Sequence, residues 1–271
     1  MKEITSLREI QVIEQNILDY VVELCDTNKI RYFLAGGTLL GAVRHRGFIP
    51  WDNDIDIAMP RPDYQHFIDI FENTIENPRY KLLRVRDNKN YCYPFVKIVD
   101  TRTIMFESYK GKRIDDLGIY IDIFPIDGLG DDYRNAVKVL RKVRRLTDRI
   151  AISAIPIKGY CGLKKLKQLI KILLYRGTSR EKRIHGVEQK NLIYQFDDSV
   201  YVASTYGLRG INEILEQKCF NDYIPIEFNG SFYKAPIGYD KYLKKMYGDY
   251  MRLPPVDQQK PPHINNAFWR E

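Results

Sequence analysis

Cysteine is scarce. Cys25, Cys92, Cys161 and Cys219 are the only four in 271 residues, and no two of them form a C-x-x-C pair. That scatter argues against a zinc cluster or a disulfide framework and points to reduced thiols. No apolar run approaches the ~20 residues that a membrane-spanning helix needs. Residues 1–11 are charged and periodic, without the apolar stretch and small-residue cleavage site of a secretory signal, so a cytoplasmic location is expected. No G-x-G-x-x-G follows a strand-like run, which weakens any conventional dinucleotide-binding reading. Internal repeats and low-complexity stretches are also missing.

What is present describes an ordinary globular protein: 44% hydrophobic and 29% charged residues, in a chain long enough for one large domain or two small ones. The net charge of +8 is uneven. Residues 138–183 carry fifteen Lys and Arg against Asp148 and Glu181, which leaves the rest of the chain net acidic. Within that block Leu163, Leu166, Ile170, Leu173 and Leu174 form one helical stripe, with Lys164, Lys165, Gln168 and Lys171 opposite. Such a helix either lies on an anionic membrane surface or packs on the core with its lysines solvated. Nucleic acid is the poorer partner, because no RNA-binding motif accompanies the charge.

Ser6 and Glu9 have capping-box spacing, and Leu7, Ile10, Ile13, Ile17, Val21 and Leu24 recur at helical intervals, which predicts a first helix ending near Asn28. A β-type run at 31–35 stops at Gly36-Gly37, and Thr38 reads as the cap of a short helix to His45. Residues 54–58 alternate as a half-buried strand, and Pro62 opens a helix to about Phe71 in which His66 reads as structural. Runs at 80–85, 93–99, 103–106 and 118–124 read as strands. A helical region over 133–194, a strand at 200–204, a hairpin turn at Asn229-Gly230 and a helix at 239–247 complete the pattern. The expected fold is α+β, a mixed β-sheet core flanked by helices with a basic helical insertion. The expected division is a catalytic core at 1–130, the basic helical region at 131–198, and a C-terminal part at 199–271 completing the catalytic domain.

Three features carry chemistry. The glycines of Gly36-Gly37-Thr38 let backbone N–H groups approach a ligand, and a helix N-terminus favours phosphate, although a plain strand–turn–helix junction has the same appearance. In a strand Asp54 and Asp56 point to one face while Ile55 and Ile57 enter the core. Paired carboxylates suit Mg²⁺, with Mn²⁺ as the alternative; a solvated acidic edge is the plainer explanation. Asp52 has the same parity. Asp122 stands in an apolar strand, where a carboxylate is costly unless paired or bound to metal, while Asp127 past Pro125 reads as a turn residue. Two strand acids with a third on a later strand suit two-metal phosphoryl transfer. Arg44, Arg46 and Lys97 are the basic groups available for phosphate, and Lys97 is the best of them because it interrupts an apolar strand.

The stretch Phe33-Leu-Ala-Gly-Gly-Thr-Leu-Leu-Gly-Ala-Val-Arg-His-Arg-Gly-Phe-Ile-Pro-Trp-Asp-Asn-Asp-Ile-Asp-Ile resembles the signature of the LicD family. So do Gly118-Ile-Tyr-Ile-Asp-Ile-Phe-Pro-Ile-Asp127 and Tyr247-Gly-Asp-Tyr-Met-Arg-Leu-Pro-Pro, followed by His263. The resemblance implies a nucleotidyltransferase-like fold and transfer of phosphocholine from CDP-choline to a sugar hydroxyl of a surface glycan, with CMP leaving. A teichoic acid precursor is the expected acceptor, lipopolysaccharide being the acceptor of other members, and a lipid-linked acceptor would bring the enzyme to the inner face of the membrane. Related sequences form the fukutin group. The family often has Asp where this chain has Asn53, whose parity is opposite to that of Asp54 and Asp56. On this reading Asp54, Asp56 and Asp122 hold metal and do the chemistry, while Gly36, Gly37, Thr38, Arg44, Lys97, Trp51, Tyr93 and His263 bind substrate. Choline adds a need for aromatic faces, for which Trp51, Tyr91, Tyr93, Phe95, Tyr120 and Trp269 are candidates. Two other readings remain: a nucleotidyltransferase acting on RNA or a small molecule, and a non-catalytic binding module on the same fold. The second would predict loss of a metal carboxylate, yet all three are present.

Overall fold

The computed structural model describes every residue except 75–76, 86–90, 92, 107, 110–111, 115–116, 154–161, 164–165, 168, 171–184, 187–188, 190–192, 208, 260–265 and 271. A short strand β1 (Lys2–Ile4) precedes helix α1 (Leu7–Thr27), whose apolar spacing buries Ile10, Ile13, Ile17, Leu18, Val21 and Cys25 along one face. Ser6 occupies the N-cap but its side chain makes no cap bond. Glu9 instead accepts a hydrogen bond from Trp269 Nε1 at 2.8 Å, so the predicted capping box is not formed.

Next come β2 (Phe33–Leu34), α2 (Gly36–His45), β3 (Asp56–Pro60) and α3 (Arg61–Thr74). Strands β4 (Tyr80–Leu83), β5 (Val96–Asp100), β6 (Thr103–Phe106), β7 (Ser108–Tyr109), β8 (Lys112–Arg113) and β9 (Tyr120–Gly128) lead to α4 (Tyr133–Ser153). The last part holds β10 (Tyr201–Ser204), β11 (Leu215–Glu216), the hairpin β12 (Tyr223–Phe228) and β13 (Ser231–Pro236), α5 (Tyr239–Tyr247) and β14 (Asn266–Trp269). At the hairpin tip Asn229 and Gly230 both have positive φ, 51° and 84°, which is the backbone that an Asn-Gly turn favours.

The architecture is α+β around a mixed sheet of seven strands, with β9 at its centre. β3 runs parallel along one edge of β9 and sets Asp56 beside Asp122. On the other edge β5 pairs antiparallel and sets Lys97 beside Asp122, while β10 pairs farther along, Val202 with Gly128. Pro125, which has no N–H to donate, falls between those two partners. Alternation along the strands gives the sheet two different faces. Ile57, Met59, Ile98, Ile121 and Ile123 join α1 and α3 in the main core. Ala58 and Ile126 face the other way with Phe33, Ala35 and Phe220. A separate sheet, ordered β1-β14-β6, brings the two ends of the chain together.

Several sequence expectations shift. α2 begins at Gly36 with Ala35 as its N-cap, so Thr38 lies inside the helix rather than capping it. β3 begins at Asp56, which leaves Asp54 in the preceding loop. Asp127 belongs to β9 rather than to a turn and is fully buried. There it meets Arg61 in a bidentate pair, 2.6 and 3.0 Å, and accepts from the Thr205 hydroxyl. His66, expected among core residues, is exposed on α3. Of the apolar stripe in the basic block, Leu163, Leu166 and Ile170 are 76%, 55% and 48% exposed. Leu173, Leu174 and the lysines opposite lie outside the described residues, as do Cys92, Cys161 and His263. Among the described residues no helix is long and apolar enough to cross a membrane.

Candidate active site

The Gly-Gly turn makes room for acids. Gly36 has φ +52°, and a Cβ there would lie 2.6 Å from Asp56 Oδ2; a Cβ on Gly37 would lie 2.9 Å from Asp52 Oδ2. Only glycine lets both carboxylates lie against the start of α2. The Gly36 N–H donates to Tyr242 Oη at 3.0 Å, and Thr38 Oγ1 accepts the Asp56 N–H at 2.8 Å. Thr38 therefore fixes the first residue of β3. From the other side Gln11 Nε2 of α1 donates to the Asp52 carbonyl at 2.9 Å, which ties the helix to the acidic loop.

The acids press on one another. Desolvation in the cleft, then the nearby Asp52 carboxylate, pushes Asp54 up to about 7. Asp54 is itself exposed and lines the cavity. Asp56 is raised well above its ordinary range by desolvation, then by Asp54, Asp122 and Asp52. Glu14 of α1, only 2% exposed, is raised in the same direction by burial first and then by Asp54, Asp52, Asp122 and Asp56. Like charges this close cannot all stay ionised without protons or cations among them.

Asp122 lies one strand over from Asp56. Its Oδ1 is 2.5 Å from Lys97 Nζ, and Lys97 is 1% exposed. The ammonium stands over the rings of Tyr120, Tyr93 and Phe95, at 3.5, 4.7 and 5.5 Å from their centroids. Three of the aromatic residues considered for choline thus surround a lysine of the protein itself.

Asp52, Asp54 and Asp56 open into a cavity of about 930 Å³. Gly36, Gly37, Arg44 and Trp51 line it, whereas Lys97, Asp122 and Tyr93 do not. Arg44 is tied to the Tyr250 carbonyl at 3.0 Å, and among the described residues no carboxylate comes within ion-pair distance of it. The lining also includes Tyr242 and Tyr250, and three residues from segments the sequence did not single out: Arg209, Glu213 and Phe220. Arg209 lies over the ring of Tyr247, 4.7 Å from its centroid, and its N–H donates to Glu213 Oε1 at 2.9 Å. Tyr247 and Tyr250 fall in a motif visible in the sequence; Arg209 and Glu213 sit in an irregular stretch with no local signal.

A divalent cation fits the chemistry of this donor set. Every acidic donor is a hard oxygen, and the raised carboxyls mark excess negative charge. Among the described residues no three acids converge into a closed cage. Mg²⁺ does not need one, since it keeps several waters and takes one or two carboxylates together with substrate phosphate. Asp54 and Asp56 are the acids that could hold it on the cavity side, and Asp52 lines the same cavity.

Residues 29–140 match the nucleotidyltransferase domain of the LicD/FKTN/FKRP proteins. The chain is 36% identical over 273 residues to the lipopolysaccharide cholinephosphotransferase LicD of Haemophilus influenzae, covering 99% of each. An uncharacterized protein of Rickettsia typhi is 36% identical over 124 residues, 45% of this chain and 36% of its own length. Ribitol 5-phosphate transferase FKRP of Homo sapiens is 50% identical over 40 residues, 15% of this chain and 8% of its own. With one relative matched from end to end and the nucleotidyltransferase domain matched over residues 29–140, this chain belongs to the LicD family of transferases.

Proposed function

We propose that the protein transfers phosphocholine from CDP-choline to a sugar hydroxyl of a cell-surface glycan precursor, a teichoic acid precursor or a lipopolysaccharide sugar, and releases CMP. One observation carries this reading: acids, a guanidinium and aromatic faces line a single cavity in a chain that matches a cholinephosphotransferase throughout. The acceptor oxygen attacks the choline-bearing phosphorus, the P–O bond to CMP breaks, and the hydroxyl proton passes to a site carboxylate. Asp54 and Asp56 would hold Mg²⁺, with Asp122 completing the set. Bound there, the ion supplies charge stabilisation for the attacking and leaving oxygens.

The rest falls to the chain itself. Arg44 offsets phosphate charge, and its tie to the Tyr250 carbonyl aims it across the cavity. Trp51 and Tyr250 are the cavity aromatics for the trimethylammonium, each contact worth about 0.5–2 kcal/mol, whereas the Tyr247 ring already carries Arg209. Lys97 holds Asp122 in one orientation.

The test is CMP release from CDP-choline with Mg²⁺ and a glycan precursor, with EDTA as control. Acceptor-dependent, EDTA-sensitive release is expected. Release from a different nucleotide donor only would discard choline and keep the transferase. A lipid-linked acceptor also gives the basic block a use, because Leu163, Leu166 and Ile170 present apolar surface beside a lysine-rich segment. Salt-sensitive co-sedimentation with anionic vesicles is expected, and its absence would remove the membrane contact.

A further inference from the structure

The acidic site has a member that neither strand nor loop supplies. Glu14 sits in the middle of α1 on the face that buries Ile10, Ile13, Ile17 and Leu18. Its Oε2 is out of reach of solvent and has no hydrogen-bond partner among the described residues. A carboxylate in that setting costs far more than a missing hydrogen bond, and a Leu or Met would pack there without the penalty. One turn earlier on the same face, Gln11 holds the Asp52 carbonyl. The Gln11 contact therefore ties the buried face of α1, which carries Glu14, to the acidic loop. The four aspartates Asp52, Asp54, Asp56 and Asp122 all act on Glu14 electrostatically.

We infer that Glu14 belongs to the cation site, as a buried counter-charge that strengthens divalent-ion binding at Asp54 and Asp56 from the α1 side. The inference rests on the proposed metal dependence and extends it to a residue outside the acidic turn. Glu14 and the four aspartates make five carboxylates that interact electrostatically, and Lys97 is paired into the group through Asp122. Fully ionised, that set carries a charge that two divalent ions match. Glu14 does not need to touch an ion to matter: in a poorly screened interior a charge acts at more than contact distance. Its role is positional and electrostatic, so its signature is affinity for metal rather than a missing catalytic group.

The test uses the full chain and Glu14→Gln, which keeps the shape and removes the charge. Mn²⁺ binding is followed by loss of the free-ion EPR signal, and Mg²⁺ binding by the rise in Tm. The expected result is Mn²⁺ affinity weakened at least about fivefold and a smaller Mg²⁺-induced Tm rise. The metal-free Tm should equal or exceed that of the native chain, since a neutral amide needs no bound proton to sit among the aspartates. Unchanged Mn²⁺ affinity would overturn the inference and leave Glu14 as a neutral buried acid, with the metal-dependent transferase intact. A metal-free Glu14→Gln protein that is less stable than the native chain would also overturn it, because Glu14 would then be a structural hydrogen-bonding residue. If the native chain binds neither ion, the inference falls together with the metal requirement proposed above.

Discussion

Lys97 and Asp122 face each other across β5 and β9, Nζ 2.5 Å from Oδ1, with the lysine sealed under Tyr120 and Tyr93. The strand register then continues from Asp122 to Asp56. Removing the lysine charge should therefore affect both the fold and the acidic site. Lys97→Met is expected to cost about 3 kcal/mol in denaturant unfolding, as breaking a buried pair generally does. It should also reduce CMP release, because Asp122 loses the contact that orients it. A cost below about 1 kcal/mol would mean the pair is not effectively buried.

Asp54→Asn and Asp56→Asn should each lower transfer by about 100-fold or more with Tm little changed or raised, since each removes one member of a repelling set. Activity above a few per cent of native in either variant would remove that residue from the reaction. The readout is acceptor-dependent CMP release beside thermal unfolding.

Two glycines offer a matched comparison. Gly36 and Gly230 both have positive φ, +52° and +84°. A Cβ at Gly230 meets nothing within 4 Å, whereas one at Gly36 runs into Asp56 Oδ2. Gly230→Ala should cost about 1–2 kcal/mol of stability and leave turnover alone. Gly36→Ala should cost at least as much and also lose activity, because Asp56 must move. Equal activity in the two variants would contradict the close approach of Asp56 to the turn.

The raised carboxyls fix the sign of a pH effect. Without divalent ions, folded Asp54, Asp56 and Glu14 keep protons that the unfolded chain has already released above the ordinary values of 3.8 and 4.5. The stability they contribute is full below those values and is lost as pH rises through the folded ones, about 7 for Asp54. The metal-free Tm should therefore fall on going from mildly acidic to neutral pH. Saturating Mg²⁺ should flatten or reverse that slope, because an ion replaces the protons. A metal-free Tm that climbs over the same range would show that the acids are not crowded.

Much of the fold follows from local pattern. The apolar spacing of α1, the Asn229-Gly230 turn and the helix at Tyr239–Tyr247 each carry their own signal and form as expected. The acids of the 52–56 loop are legible for the same reason: Gly-Gly and a run of carboxylates are unusual neighbours in so apolar a stretch. Other features depend on partners distant in sequence. Pro125 suggests a turn before Asp127, but Arg61 and Thr205 draw that carboxylate into β9. Glu14 follows Ile10 by four residues and so falls on the buried face of α1, but no local pattern says that the acidic loop is tied to that helix through Gln11. Arg209 and Glu213 reach the cavity because β10 joins β9, a pairing that no short-range pattern specifies.

The three-stranded sheet β1-β14-β6 has a consequence for how the chain folds. β14 gives hydrogen-bonding partners to both β1 and β6, and its Trp269 bonds Glu9 near the start of α1. None of these contacts can form until β14 has been made, and loop closure over the span from β1 to β14 is slow. The strand β1 is thus secured only after β14, far behind it in sequence, is in place. Until then, the helix that carries Gln11 and Glu14 to the acidic loop is held at its N-terminal end by neither strand nor tryptophan.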